Sequence, residues 1–290
     1  MIEYLIGVDG GGTGTRVRLA RADGGELSQG HSGPSGLAHG IGQAWNAIDD
    51  AVAKAFAAIG VGSPAIGSAA IGLGLAGVHN RQWAAQFEQA NPGYAALRLA
   101  TDGFTTLMGA HQGRPGTIVA IGTGSVGQAL LADGTELEVG GWGFPAGDEA
   151  SGGWIGLRAI NHIEQVLDGR RPASAFADAL MAACGKERDA VQVWLASATQ
   201  TSYASLAPIV IAHAGSNSIA RGFLVDAGLE VAGIARALDP TGLLPLALCG
   251  GLGAPLREFL PAELLARSVT PHGDAASGAL RMIAQYIKGE

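Results

Sequence analysis

Lysine is scarce in this chain. Only Lys54, Lys186 and Lys288 occur in 290 residues, and none follows a glycine-rich loop, so the lysine-bearing phosphate loop G-x-x-x-x-G-K-[ST] is absent. Positive charge is in deficit overall. A net charge of -7 argues against general binding to nucleic acid or to an anionic membrane. A polyphosphate can still be held locally, by backbone N–H groups and a metal ion. Cysteine is limited to Cys184 and Cys249, far apart and in apolar surroundings, which reads as two reduced, buried thiols. No C-x-x-C and no paired Cys/His spacing supports zinc or an iron–sulfur cluster. No uninterrupted apolar segment approaches membrane-spanning length. The N-terminus has neither a basic region nor a cleavable apolar core, so no signal peptide and a cytoplasmic location are expected.

Apolar residues and glycine are abundant instead. Hydrophobic residues make up 48% of the chain and charged ones 15%, the balance of a well-packed soluble protein, and the length suits two domains. The 47 glycines lie mostly in short clusters between apolar runs, which reads as tight turns. Two clusters stand out, "GVDGGGTGTR" and "IGTGSVG". The second fits the dinucleotide fingerprint G-x-G-x-x-G through Gly122, Gly124 and Gly127.

Self-comparison decides what they are. Displaced by 110 positions, Gly12-Thr13-Gly14 falls on Gly122-Thr123-Gly124. In the same register Thr15 meets Ser125, Ala22-Asp23-Gly24 meets Ala132-Asp133-Gly134, and Glu26-Leu27 meets Glu136-Leu137. Each copy reads as an apolar strand, a Gly/Thr turn, a second strand, a D-G turn and a third strand. A dinucleotide site needs a helix after its glycines, whereas "GQALLADGTEL" is strand, turn, strand. The nicotinamide reading therefore fails on context.

Between and after these units the pattern is legible. Ile41, Trp45, Ile48, Val52, Phe56 and Ile59 share a helical face. "AAIGLGLAG" and "LRLATDG" read as buried parallel strands separated by a helix around "RQWAAQFEQ", and "TTLMGAHQG" as a short helix. Helices are expected near 151–168, 173–184, 188–198, 218–238 and 254–260, with a strand at "LPLALCGG" and a final amphipathic helix over 274–287. The fold class is α/β, as two domains facing one another. Their boundary falls near Gly113–Gly116, giving domains 1–113 and 114–290.

With these residues in view the chain resembles the acetate-and-sugar-kinase/Hsp70/actin superfamily, and within it the N-acetylglucosamine and glucosamine kinases that share the BadF-type ATPase domain. The likeness spans nearly the whole chain and rests on "GVDGGGTGTR", "GLGLAG", "TDG", "GTGS", "GGWGFPAGDEAS" and "LCGGLG". It implies two ribonuclease H-like (actin-like ATPase) domains with a cleft between them, the helix 274–287 packing back on the first. It also implies ATP and Mg2+ as cofactors and an amino sugar as acceptor, while the negative net charge leaves no nucleic-acid or membrane partner expected. A homodimer is left open.

The residues carry that implication individually. Gly11, Gly12 and Thr13, with Gly122, Thr123 and Gly124, form turns whose backbone N–H groups can approach phosphate oxygens, since glycine has no side chain to obstruct them. Asp9 ends the first strand and can hold a hydrated Mg2+. Asp102 closes "LRLATDG" and matches the family's catalytic aspartate, the implied base for the sugar 6-hydroxyl; read alone it could equally cap the following helix. By resemblance Gly141, Trp142 and Gly143 line the sugar, Asp148 bonds its hydroxyls, and Ser125 is on the substrate side. Glu149 either supports them or caps a helix. By the same resemblance Gly250 and Gly251 would form the turn that admits adenine, with Ala214 and Gly215 on its other side. One departure stands at Gly36. The family commonly shows G-P-A-N-L, with its Asn on the sugar, and this chain reads Gly33-Pro34-Ser35-Gly36-Leu37.

The expected activity is ATP-dependent phosphorylation of the 6-hydroxyl of an amino sugar, N-acetylglucosamine first and glucosamine as the alternative. A further alternative is an ATPase that activates a partner redox enzyme, but neither cysteine sits in a motif that would bridge a cluster.

Overall fold

A computed structural model describes residues 1–62 and 66–289. In chain order its first elements are β1 (Tyr4–Gly10), β2 (Thr15–Arg21), β3 (Glu26–Ser32), α1 (Ile41–Ala57), β4 (Ala69–Leu75), α2 (Arg81–Gln89), β5 (Ala96–Thr101) and α3 (Asp102–His111). There follow β6 (Gly116–Ile121), β7 (Ser125–Leu130), β8 (Glu136–Gly140), α4 (Gly152–Leu167), α5 (Ala175–Cys184) and α6 (Arg188–Ser197). The chain continues through α7 (Gln200–Ala204), α8 (Ala207–His213), α9 (Ser218–Leu238), β9 (Leu246–Cys249), α10 (Gly253–Leu256) and α11 (Ala262–Arg267). It ends with β10 (Ser268–Val269) and α12 (Ala275–Lys288).

The chain divides into two compact units. The first takes residues 1–116, Ala132–Gly134 and the stretch from Thr270 onward; the second takes Thr117–Leu131 and Thr135–Val269. Each is built on a five-stranded mixed sheet. The strand orders are β3-β2-β1-β4-β5 and β8-β7-β6-β9-β10, one topology used twice. This is what the internal sequence repeat foretold for an α/β protein of two related halves. Gly24 and Gly134, the equivalent glycines of the two D-G turns, have φ of 95° and 86°, left-handed values that glycine adopts without a Cβ clash.

In the first unit, β1, β4 and β5 run parallel and β1, β2 and β3 antiparallel. Helix α1 covers one face with Trp45, Ile48, Val52 and Phe56 buried, and Trp45 stacks on Phe87 at 4.2 Å. Helix α12 covers the other. It comes so close that a Cβ at Gly72 in β4 would lie 2.2 Å from the Ala279 carbonyl oxygen. The glycines that interrupt these apolar strands therefore admit a helix backbone to the sheet. Asp274 caps α12 by accepting from Ser277 N–H at 2.9 Å and pairs with Arg18 of β2, also at 2.9 Å.

The second unit buries Val119, Ile121, Trp154, Ile160, Phe176, Leu224 and Val231 in one cluster. Both cysteines are free and buried, and burial pushes their thiols up to about 11 for Cys184 and about 12 for Cys249. Helices α7 and α8 have no counterpart in the sequence reading. "APIVIAH" is an unbroken apolar run, for which periodicity does not separate strand from helix. No described helix is long and apolar enough to cross a membrane.

Candidate functional site

The first glycine turn joins β1 to β2 and is closed by a bond from Gly11 N–H to the Gly14 carbonyl at 3.0 Å. The N–H groups of Gly12, Thr13 and Gly14 donate to no acceptor among the described residues, and Gly12 and Thr13 are exposed. Three free amides on a short glycine turn form a concavity suited to an anion. Asp9 stands just before the turn. Its Oδ2 accepts from Arg16 Nε at 3.1 Å and Nη2 at 2.6 Å, leaving Oδ1 without a protein donor among the described residues.

Asp102 lies two strands away on the same sheet edge. Asp9 is in register with Gly74, and Leu75 with Thr101, so both aspartates occupy carboxyl ends of parallel strands, where open α/β sheets take their ligands. The helix cap is Thr101, not Asp102. Its hydroxyl accepts from Phe104 N–H at 3.0 Å, while the Asp102 carboxylate accepts from its neighbour Gly103 N–H, also at 3.0 Å, and from its own amide. Asp102 is thus free for chemistry at the start of α3. Burial pushes its carboxyl above the usual carboxylate range, and the negative charge of Asp9 adds to this. The Gly103 amide and His79 oppose the shift.

The second turn, between β6 and β7, repeats the first. Gly122 N–H bonds the Gly124 carbonyl at 2.9 Å, and the Thr123 and Gly124 amides have no acceptor among the described residues. The turn's carbonyls are occupied: Gly152 and Gly153, at the start of α4, donate to Gly122 and Thr123 at 2.8 and 3.1 Å. Asp148 is buried against this turn, and a Cβ at Gly124 would lie 2.7 Å from its Oδ2. The same oxygen accepts from Gln200 Nε2 at 2.6 Å, and Gln200 also reaches the Thr123 carbonyl at 3.1 Å. Gly250, at the end of β9, abuts the strand before the turn. Its φ is 79° and a Cβ would lie 2.4 Å from the Ile121 carbonyl oxygen.

The structure thus brings Gly122, Thr123, Gly124 and Asp148 together and sets Gly250 against Ile121, the residue before the turn. Ser125 is buried beside them, its hydroxyl donated to the Glu149 carbonyl at 2.6 Å. Glu149 caps no helix, because Ser151 caps α4 by accepting from Trp154 N–H. Gly141, Trp142 and Gly143 form the loop after β8, with glycine φ values of 70° and 89° and Trp142 86% exposed. Gly251 is exposed after β9, and Ala214 and Gly215 stand at the end of α8. In the first unit Gly36 N–H bonds the Gly11 carbonyl at 3.0 Å, which sets the G-P-S-G segment beside the first turn.

Sequence reading missed Arg16 and Gln200. Arg16 was visible within "GVDGGGTGTR" as a cation seven residues after a carboxylate. Gln200 lies 77 residues from Thr123, and no local pattern announces it.

Comparison with known proteins adds a family. The sequence profile of the BadF/BadG/BcrA/BcrD ATPase family matches residues 6–241. The glucosamine kinase of Vibrio cholerae is 31% identical over 281 residues, covering 96% of this chain and 95% of the relative. The N-acetyl-D-glucosamine kinase of Dictyostelium discoideum is 25% identical over 275 residues, covering 86% and 85%. A solved structure described as a candidate N-acetylglucosamine kinase, from Chromobacterium violaceum, is 50% identical with a TM-score of 0.94, covering 98% of this chain and 99% of its own.

Proposed function

The chain belongs to the BadF/BadG/BcrA/BcrD ATPase family, and from that premise we propose that it transfers the γ-phosphoryl group of ATP to the 6-hydroxyl of an amino sugar, with N-acetylglucosamine as the acceptor. The observation that carries the reading is Asp102. It is a carboxylate at a strand end, relieved of capping by Thr101 and made more basic by burial. A general base gains from a raised pKa because it then holds the abstracted proton more firmly. Its role is to accept the proton of the sugar hydroxyl as that oxygen attacks phosphorus.

Phosphoryl transfer otherwise demands alignment and charge neutralisation. The free amides of Gly12, Thr13 and Gly14, and of Thr123 and Gly124, are donors for phosphate oxygens. No group of three or more His, Cys, Asp or Glu forms a metal cage among the described residues. That suits Mg2+, which keeps most of its waters and uses one or two carboxylates besides the substrate phosphates. Asp9 would hold it through Oδ1, and the ion would supply positive charge against the phosphates. Asp148 serves the second turn from beneath, while exposed Trp142 offers a flat apolar face to a pyranose.

Glucosamine is the second reading, favoured by the name and near-complete coverage of the Vibrio relative. A coupled ADP-release assay over N-acetylglucosamine, glucosamine and glucose tests both. We expect kcat/KM highest for N-acetylglucosamine. A tenfold advantage for glucosamine would reverse the choice, and ADP release unresponsive to every sugar would remove the kinase reading.

A further inference from the structure

Beside the first turn lies an imidazole that neither the motifs nor the proposed mechanism uses. His39 is exposed, its ring has no hydrogen-bond partner among the described residues, and its Nε2 lies 4.0 Å from where a Cβ would stand on Gly12. Apart from Gly12 and its two chain neighbours, no other heavy atom of the described residues comes within that distance of the Cβ position. The ring therefore lies beside the middle of the turn whose three amides are free.

Its mount is rigid. Ser35 is fully buried, accepts from the Thr15 hydroxyl at 2.7 Å and wedges against Gly10, where a Cβ would lie 2.1 Å from its Oγ. Ser35 and Gly36 N–H groups both donate to the Gly11 carbonyl, at 3.2 and 3.0 Å, and Leu37 N–H donates to Ala76 at 2.9 Å. A single 3-10 turn, Leu37–His39, follows, closed by His39 N–H to Gly36 at 3.0 Å. The segment is thus bonded to the turn it stands beside, so the His39 backbone keeps a fixed place next to the free amides.

We propose that His39 is a phosphate-contacting residue of the first turn, donating from Nε2 to an oxygen of the nucleotide's phosphate chain. The turn lacks a lysine, and His39 supplies the side-chain donor that a lysine gives elsewhere. The inference rests on the reading that this turn holds nucleotide phosphates.

Calorimetry of the parent, His39→Ala and His39→Lys with Mg·ATP, and separately with N-acetylglucosamine alone, tests it. His39→Ala should loosen ATP by about tenfold, the size of a lost charge-assisted hydrogen bond at an exposed site. It should leave sugar affinity within about twofold, and His39→Lys should recover most of the ATP affinity. ATP affinity unchanged in His39→Ala, or loss of ATP and sugar affinity together, overturns the inference while leaving the turn's assignment standing. A parent that binds no ATP overturns the assignment as well.

Discussion

Arg16 grips Asp9 at one oxygen only: Nε and Nη2 both bind Oδ2, at 3.1 and 2.6 Å. Arg16 is more than half exposed, and such pairs contribute about 0.2–1 kcal/mol to stability. The pair therefore orients the carboxylate more than it holds the fold. Asp9→Ala should raise the Mg2+ requirement and weaken Mg·ATP, leaving sugar affinity without nucleotide nearly unchanged. Arg16→Ala should shift the Mg2+ dependence while changing the melting temperature little. Equal loss of nucleotide and sugar affinity in Asp9→Ala, read by calorimetry, contradicts this.

Asp102→Asn should cut turnover by roughly 10²–10⁴-fold and keep ATP binding, and it should also stabilise the protein. The sign follows from the raised pKa. The folded state holds the Asp102 proton more tightly than the unfolded chain, so stability falls as pH rises from the ordinary carboxylate value, about 4, through the raised one. Above both values the cost of a buried charge is constant. Asparagine removes that cost, so the gain in melting temperature should be full at pH 7–8 and fade in acid. A variant turning over within a few-fold of the parent defeats the assignment. A melting-temperature difference that ignores pH defeats the electrostatic account.

Among the described residues Gln200 is the side-chain donor to Asp148, and it also steadies the Thr123 carbonyl. Gln200→Ala should leave the buried Asp148 carboxylate without that donor, costing about 1–3 kcal/mol. Because it loosens the second turn, the KM for ATP should rise more than the KM for sugar. Equal changes in both, or no change in thermal stability, would show that the contact does not support the turn.

These cases mark where sequence reading reaches and where it stops. The strands and glycine turns were legible because strand alternation, D-G turns and the repeat from Gly12 to Gly122 are short-range patterns. The placement of Asp102 at a strand end followed from "LRLATDG". Its release from capping did not, because Thr101 and Asp102 are both good caps and only geometry chooses between them. Asp148 and Ser125 were singled out by resemblance for the sugar side, and the packing of Asp148 against the second turn was not legible, because its partner Gln200 arrives on α7 from later in the chain. Gln200 and His39 are invisible for the same reason. Each acquires meaning from a neighbour brought up by the fold.

His162 predicts an acid weakness. Its Nε2 is buried without a hydrogen-bond partner among the described residues, and the ring stacks on Phe176 with centroids 5.4 Å apart. Burial, aided by the positive charge of Arg171, lowers its pKa. The unfolded chain takes up this proton near pH 6.5 while the folded one resists. Stability is therefore intact above that pH and declines as pH falls below it. His162→Phe should lessen the fall in melting temperature between pH 7 and pH 5. An unchanged acid slope removes His162 from the account.

The proposed acceptor can be tested at Gly36. Its φ of -59° and ψ of 136° suit any residue, and a Cβ there would lie 3.5 Å from the Gly11 carbonyl carbon and oxygen and 3.6 Å from Gly12 N, ordinary van der Waals contact. Glycine is therefore not required by the backbone, and Gly36→Asn should fold with little change in melting temperature. If the missing amide is what limits binding of a neutral N-acetyl sugar, restoring one hydrogen bond of about 0.5–1.5 kcal/mol should raise kcat/KM for N-acetylglucosamine by about two- to tenfold. The gain should appear in KM, because the contact is made equally in the ground state and the transition state. Glucosamine should gain less if its preference rests on an ammonium group, since an added amide supplies no charge. A variant that improves glucosamine alone would transfer the acceptor assignment to the amine, and one that improves neither sugar would place the acceptor's recognition away from Gly36.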